Sequence, residues 1–185
     1  MRGLYGSQMD ERYRIVDRWI PDGARVVELC CGCGYLYERY LRQRGIDYFG
    51  IDLLPAMTRR LRKLGARVVQ GDVLSAELPP ADYTIMLGSL YHFHPVEARV
   101  IRRMAAHGRG LILEPISNFS QSTNPLIRLL ARWASFIGGT NSSFRLTSAR
   151  LDAVLHEAGV RVHASEEVLE GQYRLAVFNA AGGES

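Results

Sequence analysis

Glu28, Asp52 and Asp72 each close or adjoin a short apolar run, and the first leads into the turn Leu29-Cys30-Cys31-Gly32-Cys33-Gly34. Carboxylates accept hydrogen bonds, and Gly32 and Gly34 let a ligand approach the main chain where a Cβ would stand in the way. A turn that opens a helix also turns backbone N–H groups toward polar ligand atoms. This combination suggests a nucleotide or nucleoside pocket. Asp52 could accept from both hydroxyls of a ribose, and Asp72 from an exocyclic amine such as that of adenine. Each acid also has a plainer role: Asp52 could cap the helix that begins near Pro55, and Asp72 could fix its own turn. Agreement in position among all three is more specific than any one alone.

A second set of reactive side chains lies in Ser89-Leu90-Tyr91-His92-Phe93-His94. His92 could take a proton or orient a substrate near neutral pH, or hold its own loop. His94 ranks below it because Pro95 opens a helix beside it. Tyr91 and Phe93 could wall a pocket or pack into the core. Glu114 ends a later apolar run and could meet a cationic substrate group, or fix the following loop by a structural hydrogen bond. Tyr5 and Tyr13 could close over a ligand, and a surface ring is the favoured reading of Tyr13.

Composition narrows the partners. The chain has 185 residues, 47% of them hydrophobic, and a formal charge of +4. That is ordinary globular composition for one domain, and the charge is spread too evenly to mark a nucleic-acid surface. Arg59, Arg60, Arg62 and Lys63 form its densest group and read as a solvated helix face. No apolar run reaches the length of a membrane span, and no secretory leader is legible, so the cytoplasm is the expected compartment. Cys30, Cys31 and Cys33 lie too close for ordinary disulfides and lack neighbours to complete a zinc site; reduced thiols packing as small hydrophobes, with no metal, are expected.

The elements that must position these groups alternate. Helical patterns are expected at 35–44, 55–64, 95–106 and 147–158, with an N-terminal helix carrying Ile15, Val16, Trp19 and Ile20 and stopping at Pro21-Asp22-Gly23. Strands are expected at 25–30, 47–51, 66–70, 83–87 and 110–114, followed by a closing hairpin of 160–164 and 173–178. Val96, Val100 and Met104 should face inward. The link 73–80 carries Pro79-Pro80, so one turn or an irregular loop is expected where a crossover helix would stand. Such alternation predicts an α/β fold with helices on both faces of a mostly parallel sheet. The pattern breaks at 115–146, which reads as a lid insertion over a cleft with an apolar helix at 125–137.

These residues resemble the class I S-adenosylmethionine-dependent methyltransferase family, from about residue 25 to 113 and more loosely to the end. The stretch 28–34 resembles its acid-x-G-x-G-x-G motif, with Cys30 in place of the first glycine. Gly50-Ile51-Asp52 resembles its ribose motif, Gln70-Gly71-Asp72-Val73 its adenine motif, and residues 82–87 the strand beside the methionine moiety. The resemblance implies a three-layer, Rossmann-like, seven-stranded sheet with an antiparallel last strand, and S-adenosyl-L-methionine as cofactor. It implies that Glu28 and the backbone near Gly88 hold the amino-acid part, Gly32 and Gly34 permit close approach, Asp52 binds the ribose, and Asp72 with the Val73 amide faces the adenine. His92 resembles a histidine that orients substrate or acts as base in small-molecule members. A dinucleotide enzyme using NAD fits worse, because the third glycine of G-x-G-x-x-G would fall at Tyr37.

The expected activity is methyl transfer to a small apolar or amphipathic acceptor, with a binding module lacking catalysis as the alternative. The acceptor class follows from Tyr91, Phe93 and the apolar character of 126–137, a segment that could also serve a homodimer or a peripheral membrane contact.

Overall fold

The computed structural model describes residues 2–116 and 146–182, with side chains from Asp10 onward. Strands β1 (Arg25–Leu29), β2 (Asp47–Asp52), β3 (Arg67–Gln70), β4 (Tyr83–Leu87), β5 (Arg109–Pro115), β6 (Val160–Val168) and β7 (Tyr173–Ala180) form one sheet in the order β3-β2-β1-β4-β5-β7-β6. β1 to β5 are parallel, while β7 runs antiparallel between β5 and β6. The seven-stranded, Rossmann-like architecture and the terminal hairpin are as expected. The order reverses between β1 and β4, which places a crevice beyond their carboxyl ends.

Side-chain alternation divides the core into two layers. On one face Val27, Leu29, Phe49, Ile51 and Ile112 meet Val100, Ile101 and Met104 of α3 (Glu97–His107) and Leu151, Val154 and Leu155 of α4 (Ser148–Ala158). On the other, Val26, Tyr48, Val68, Ile85 and Leu111 meet Val16 of α1 (Arg2–Asp17), Ile20 just beyond it, Tyr37 and Leu41, and Leu61 of α2 (Pro55–Lys63). Pro55 opens α2, and Thr147 caps α4 by accepting from the Arg150 amide at 3.1 Å.

Three local expectations change. Residues 37–41 wind as a π-helix in place of a regular α-helix, with the Arg42 amide reaching Tyr37 O at 2.9 Å. Val96 is 40% exposed because the helix begins at Glu97, two residues after its expected start, and Glu97 and Ala98 take the inward positions beside Val100. The link after β3 is a turn at Val73–Ala76, and Val73 and Leu78 plug the face where a crossover helix would pack. The expected lid, 115–146, lies outside the described residues except at Pro115, Ile116 and Leu146; its helix at 125–137 falls wholly outside them. Among the described residues, no helix is long and apolar enough to cross a membrane.

Candidate functional site

The glycine turn leaves β1 at the crevice. Cys30 adopts φ 54°, the left-handed region that favours glycine, so the residue replacing the usual first glycine keeps a glycine-like backbone. Gly34 has φ 76°, and a Cβ there would lie 2.6 Å from Leu61 Cγ, with Cδ2 nearer still. This glycine is therefore required by the approach of α2 as much as by the turn.

Asp52 holds the turn from the neighbouring strand. Its Oδ2 accepts from the Gly32 amide at 2.8 Å and its Oδ1 from the Leu54 amide at 2.8 Å. It therefore makes the local turn contact and also braces the glycine loop. A carboxylate has about four lone-pair positions, so these two bonds leave acceptor capacity for a diol.

Glu28 is buried on the α1–α2 face, where its Oε2 accepts from the Tyr48 hydroxyl at 2.6 Å. Burial raises its pKa to about 7, against the lowering effect of the Tyr48 hydrogen bond and with further raising by Asp52. Tyr48 itself is pushed well above its ordinary value, first by burial and then by Glu28. Nothing in the sequence pattern marks Tyr48 as the partner; only the parallel β1–β2 register, with Val26 beside Tyr48 and Glu28 beside Gly50, brings them together.

α1 is bolted over this turn. Asp10 Oδ1 accepts from the Tyr35 hydroxyl at 2.9 Å and the Tyr40 hydroxyl at 2.8 Å. Tyr13 packs against Tyr35 with ring centroids 4.6 Å apart, and burial, reinforced by the Glu28 charge, raises its pKa to about 12. Tyr13 is thus a packed ring beside the turn, correcting its reading as a surface residue. For Tyr5 only the backbone, within α1, is described.

The thiols divide. Cys31 is buried, Cys30 half-buried and Cys33 exposed, so compact packing describes only the first two. Burial, followed by the Asp52 and Glu114 charges, raises Cys30 to about 12 and keeps it a neutral thiol; Ser89 hydrogen-bonds it with the opposite effect. That thiol consequently marks the middle of the crevice, between the ends of β1, β2, β4 and β5.

Asp72 lies exposed at the end of β3 and caps its own turn through the Leu74 amide at 2.9 Å, while the following Val73 is buried. Gly88 leaves β4 with φ 59°, its amide bonded to Leu113 O at 2.9 Å. Glu114 is fully buried, and its Oε1 accepts from the Ser89 and Leu90 amides at 2.8 and 2.9 Å. Burial raises its pKa to about 7 against those bonds, and Oε2 is buried without a hydrogen-bond partner among the described residues. This carboxylate fixes the start of the 3₁₀ turn Leu90–Phe93. Tyr91 and Phe93 there are half-buried against the core, and the His92 ring lies 4.0 Å from that of Tyr91 with its pKa lowered by burial. His94 faces Glu97, its Nδ1 2.9 Å from Oε1.

The sheet order and a glycine turn braced by an acid at the next strand end define the class I S-adenosylmethionine-dependent methyltransferase fold. A family model described as a methyltransferase domain matches residues 5–165, and the chain belongs to that family. It is an enzyme of methyl transfer, with S-adenosyl-L-methionine as cofactor. Tyr37, where a dinucleotide fingerprint would need glycine, is a core ring 4.6 Å from Tyr48.

Solved structures agree on the fold. A TehB-like SAM-dependent methyltransferase from Corynebacterium glutamicum is 19% identical with TM-score 0.65, covering 92% of this chain and 87% of that one. An O-methyltransferase family protein from Burkholderia thailandensis is 22% identical with TM-score 0.71, covering 98% of this chain but 57% of that longer one. Magnesium protoporphyrin IX methyltransferase from Synechocystis, solved with SAH bound, is 16% identical with TM-score 0.66, covering 91% and 80%. No curated protein matches the chain.

Proposed function

We propose that the chain transfers the methyl group to a small apolar or amphipathic acceptor by in-line displacement. The residue roles follow the site's layout. Asp52 accepts from the ribose hydroxyls, Asp72 and the Val73 amide meet the adenine, and Glu28 with the backbone at Gly88 holds the amino-acid end across the Gly32–Gly34 turn. The cofactor supplies a methyl group already activated by a sulfonium. The protein's main task is then to align the acceptor and exclude water.

The observation that carries this reading is the Asp52 carboxylate, which braces the glycine turn while retaining acceptor capacity at the end of β2. The residues fit the cofactor: Gly32 has no Cβ to obstruct it, and Glu28 is poised near neutrality. The small-acceptor reading is supported by half-buried Tyr91 and Phe93 on the loop after β4 and by the apolar composition of 126–137, taken as a lid. Calorimetry with S-adenosylhomocysteine, S-adenosylmethionine and NAD tests the pocket. Asp52→Ala should weaken S-adenosylhomocysteine on the order of tenfold to a hundredfold, the loss of charge-assisted hydrogen bonds. Unchanged affinity would remove Asp52 from the site. Labelled methyl transfer to phenols, amines, lipids and sugars tests the acceptor class, and turnover only on macromolecules would overturn it.

A further inference from the structure

Glu97 stands outside the residues assigned above to the cofactor, yet it is 1% exposed at the start of α3. Its Oε1 lies 2.9 Å from His94 Nδ1. Its Oε2 has no hydrogen-bond partner among the described residues and faces Arg150 Nη2 at 3.6 Å. A carboxylate so deeply covered needs compensation, and here the imidazole and the guanidinium provide it. The place is informative as well. α3 follows β4 and α4 precedes β6, so both helices begin at the sheet's carboxyl edge, where the glycine turn and Glu114 also lie.

The His94 side chain is 39% exposed, whereas its partner is 2% exposed. An imidazole whose Nδ1–H donates to a fixed carboxylate carries its basic lone pair on Nε2, and the carboxylate stabilises the imidazolium formed on protonation. His92 has no carboxylate partner among the described residues; its ring lies against Tyr91.

We propose that His94, oriented by Glu97, is the proton acceptor of the transfer reaction and that the methyl acceptor is a hydroxyl. A neutral hydroxyl is a poor nucleophile near neutral pH and gains from a base, whereas an amine needs only its neutral form. In the transfer, the acceptor O–H bond breaks and its proton moves to His94 Nε2 while the O–CH3 bond forms; the electron pair of the broken S–CH3 bond stays on sulfur. Glu97 is a positioning residue, and Arg150 keeps its second oxygen neutralised. The proposal rests on the small-acceptor reading above.

Two measurements test it. Nitrogen-15 NMR of the histidine rings in the intact protein should show His94 as the Nδ1–H tautomer, and Glu97→Gln should shift that population. A wild-type Nε2–H tautomer overturns the proposal without any turnover. Labelled methyl transfer to a series of substituted phenols, with benzylamine beside them, is the second. His94→Gln should lower kcat by on the order of a hundredfold on weakly acidic phenols and far less on 4-nitrophenol, which ionises unaided, with KM for S-adenosylmethionine held. Equal losses across the series, transfer to benzylamine alone, or transfer to none of the phenols overturns it. Failure of the small-acceptor reading is distinct, appearing as transfer to proteins or RNA alone.

Discussion

Gly34→Ala tests whether the glycine turn is shaped by the ligand or by the protein's own packing. The new methyl would lie 2.6 Å from Leu61 Cγ, and Leu61 is fully buried in α2, so it cannot swing into solvent. Overpacking a core contact costs about 1–3 kcal/mol, and a Cβ at φ 76° adds about 1–2 kcal/mol. The expected loss is thus on the order of 3 kcal/mol, a large share of the roughly 10 kcal/mol that a chain of this size holds. Urea denaturation followed by circular dichroism measures it. The clash has one identified partner, so Leu61→Ala, alone costing about 2–5 kcal/mol through its cavity, should cost much less in the Gly34→Ala background. A coupling energy of about 1–3 kcal/mol is expected from the cycle. Strict additivity, or a Gly34→Ala loss below about 1 kcal/mol, would refute the argument that α2 imposes the glycine.

Three further outcomes follow from the same site. Cys30→Gly should be more stable than Cys30→Ala by about 1–2 kcal/mol, because alanine keeps the strained φ of 54° and glycine does not; equal stabilities in urea would contradict this. Glu28 has a folded-state pKa of about 7 against 4.5, so the ligand-free folded state holds its proton more tightly than the unfolded state does. Its penalty is absent below the unfolded value, grows as pH rises between the two, and reaches about 3 kcal/mol above the folded value. Glu28→Gln should therefore gain on the wild type by up to that amount between pH 5 and 8, and a pH-independent difference would refute the shift. Asp10→Ala removes the acceptor of both tyrosine hydroxyls; hydrogen exchange in α1 should speed up and S-adenosylhomocysteine binding should weaken about fivefold, whereas unaltered exchange would show that Asp10 does not hold α1.

Much of the molecule was legible because its signals are local. The Pro55 start of α2, the end of α4 at Ala158 and the β4 limits depend on neighbours in the chain. Val96 was misread because apolar spacing does not say which residue begins a helix. The π-helix escaped for a related reason, since an i→i+5 bond at Tyr37 leaves the 3.6-residue pattern almost unchanged over one turn. Glu97 had a faint signal, an acid three residues after His94 at a helix start. Its burial depends on α4, whose Arg150 lies far along the chain.

The sequence by itself determined the alternation of elements, the glycine turn after Glu28 and the acids at the ends of β2 and β3, because periodicity and turn chemistry are written in neighbouring residues. Only the tertiary structure decided what those groups do to one another. Burial, with the Asp52 charge, brings Glu28 near neutrality against the Tyr48 hydrogen bond, Asp52 clasps the turn from the next strand, Leu61 makes Gly34 obligatory, and Glu97 finds His94 in a pocket closed by Arg150. Burial, dielectric and hydrogen-bond partnership depend on which surfaces meet, and that is settled when the helices close over the sheet.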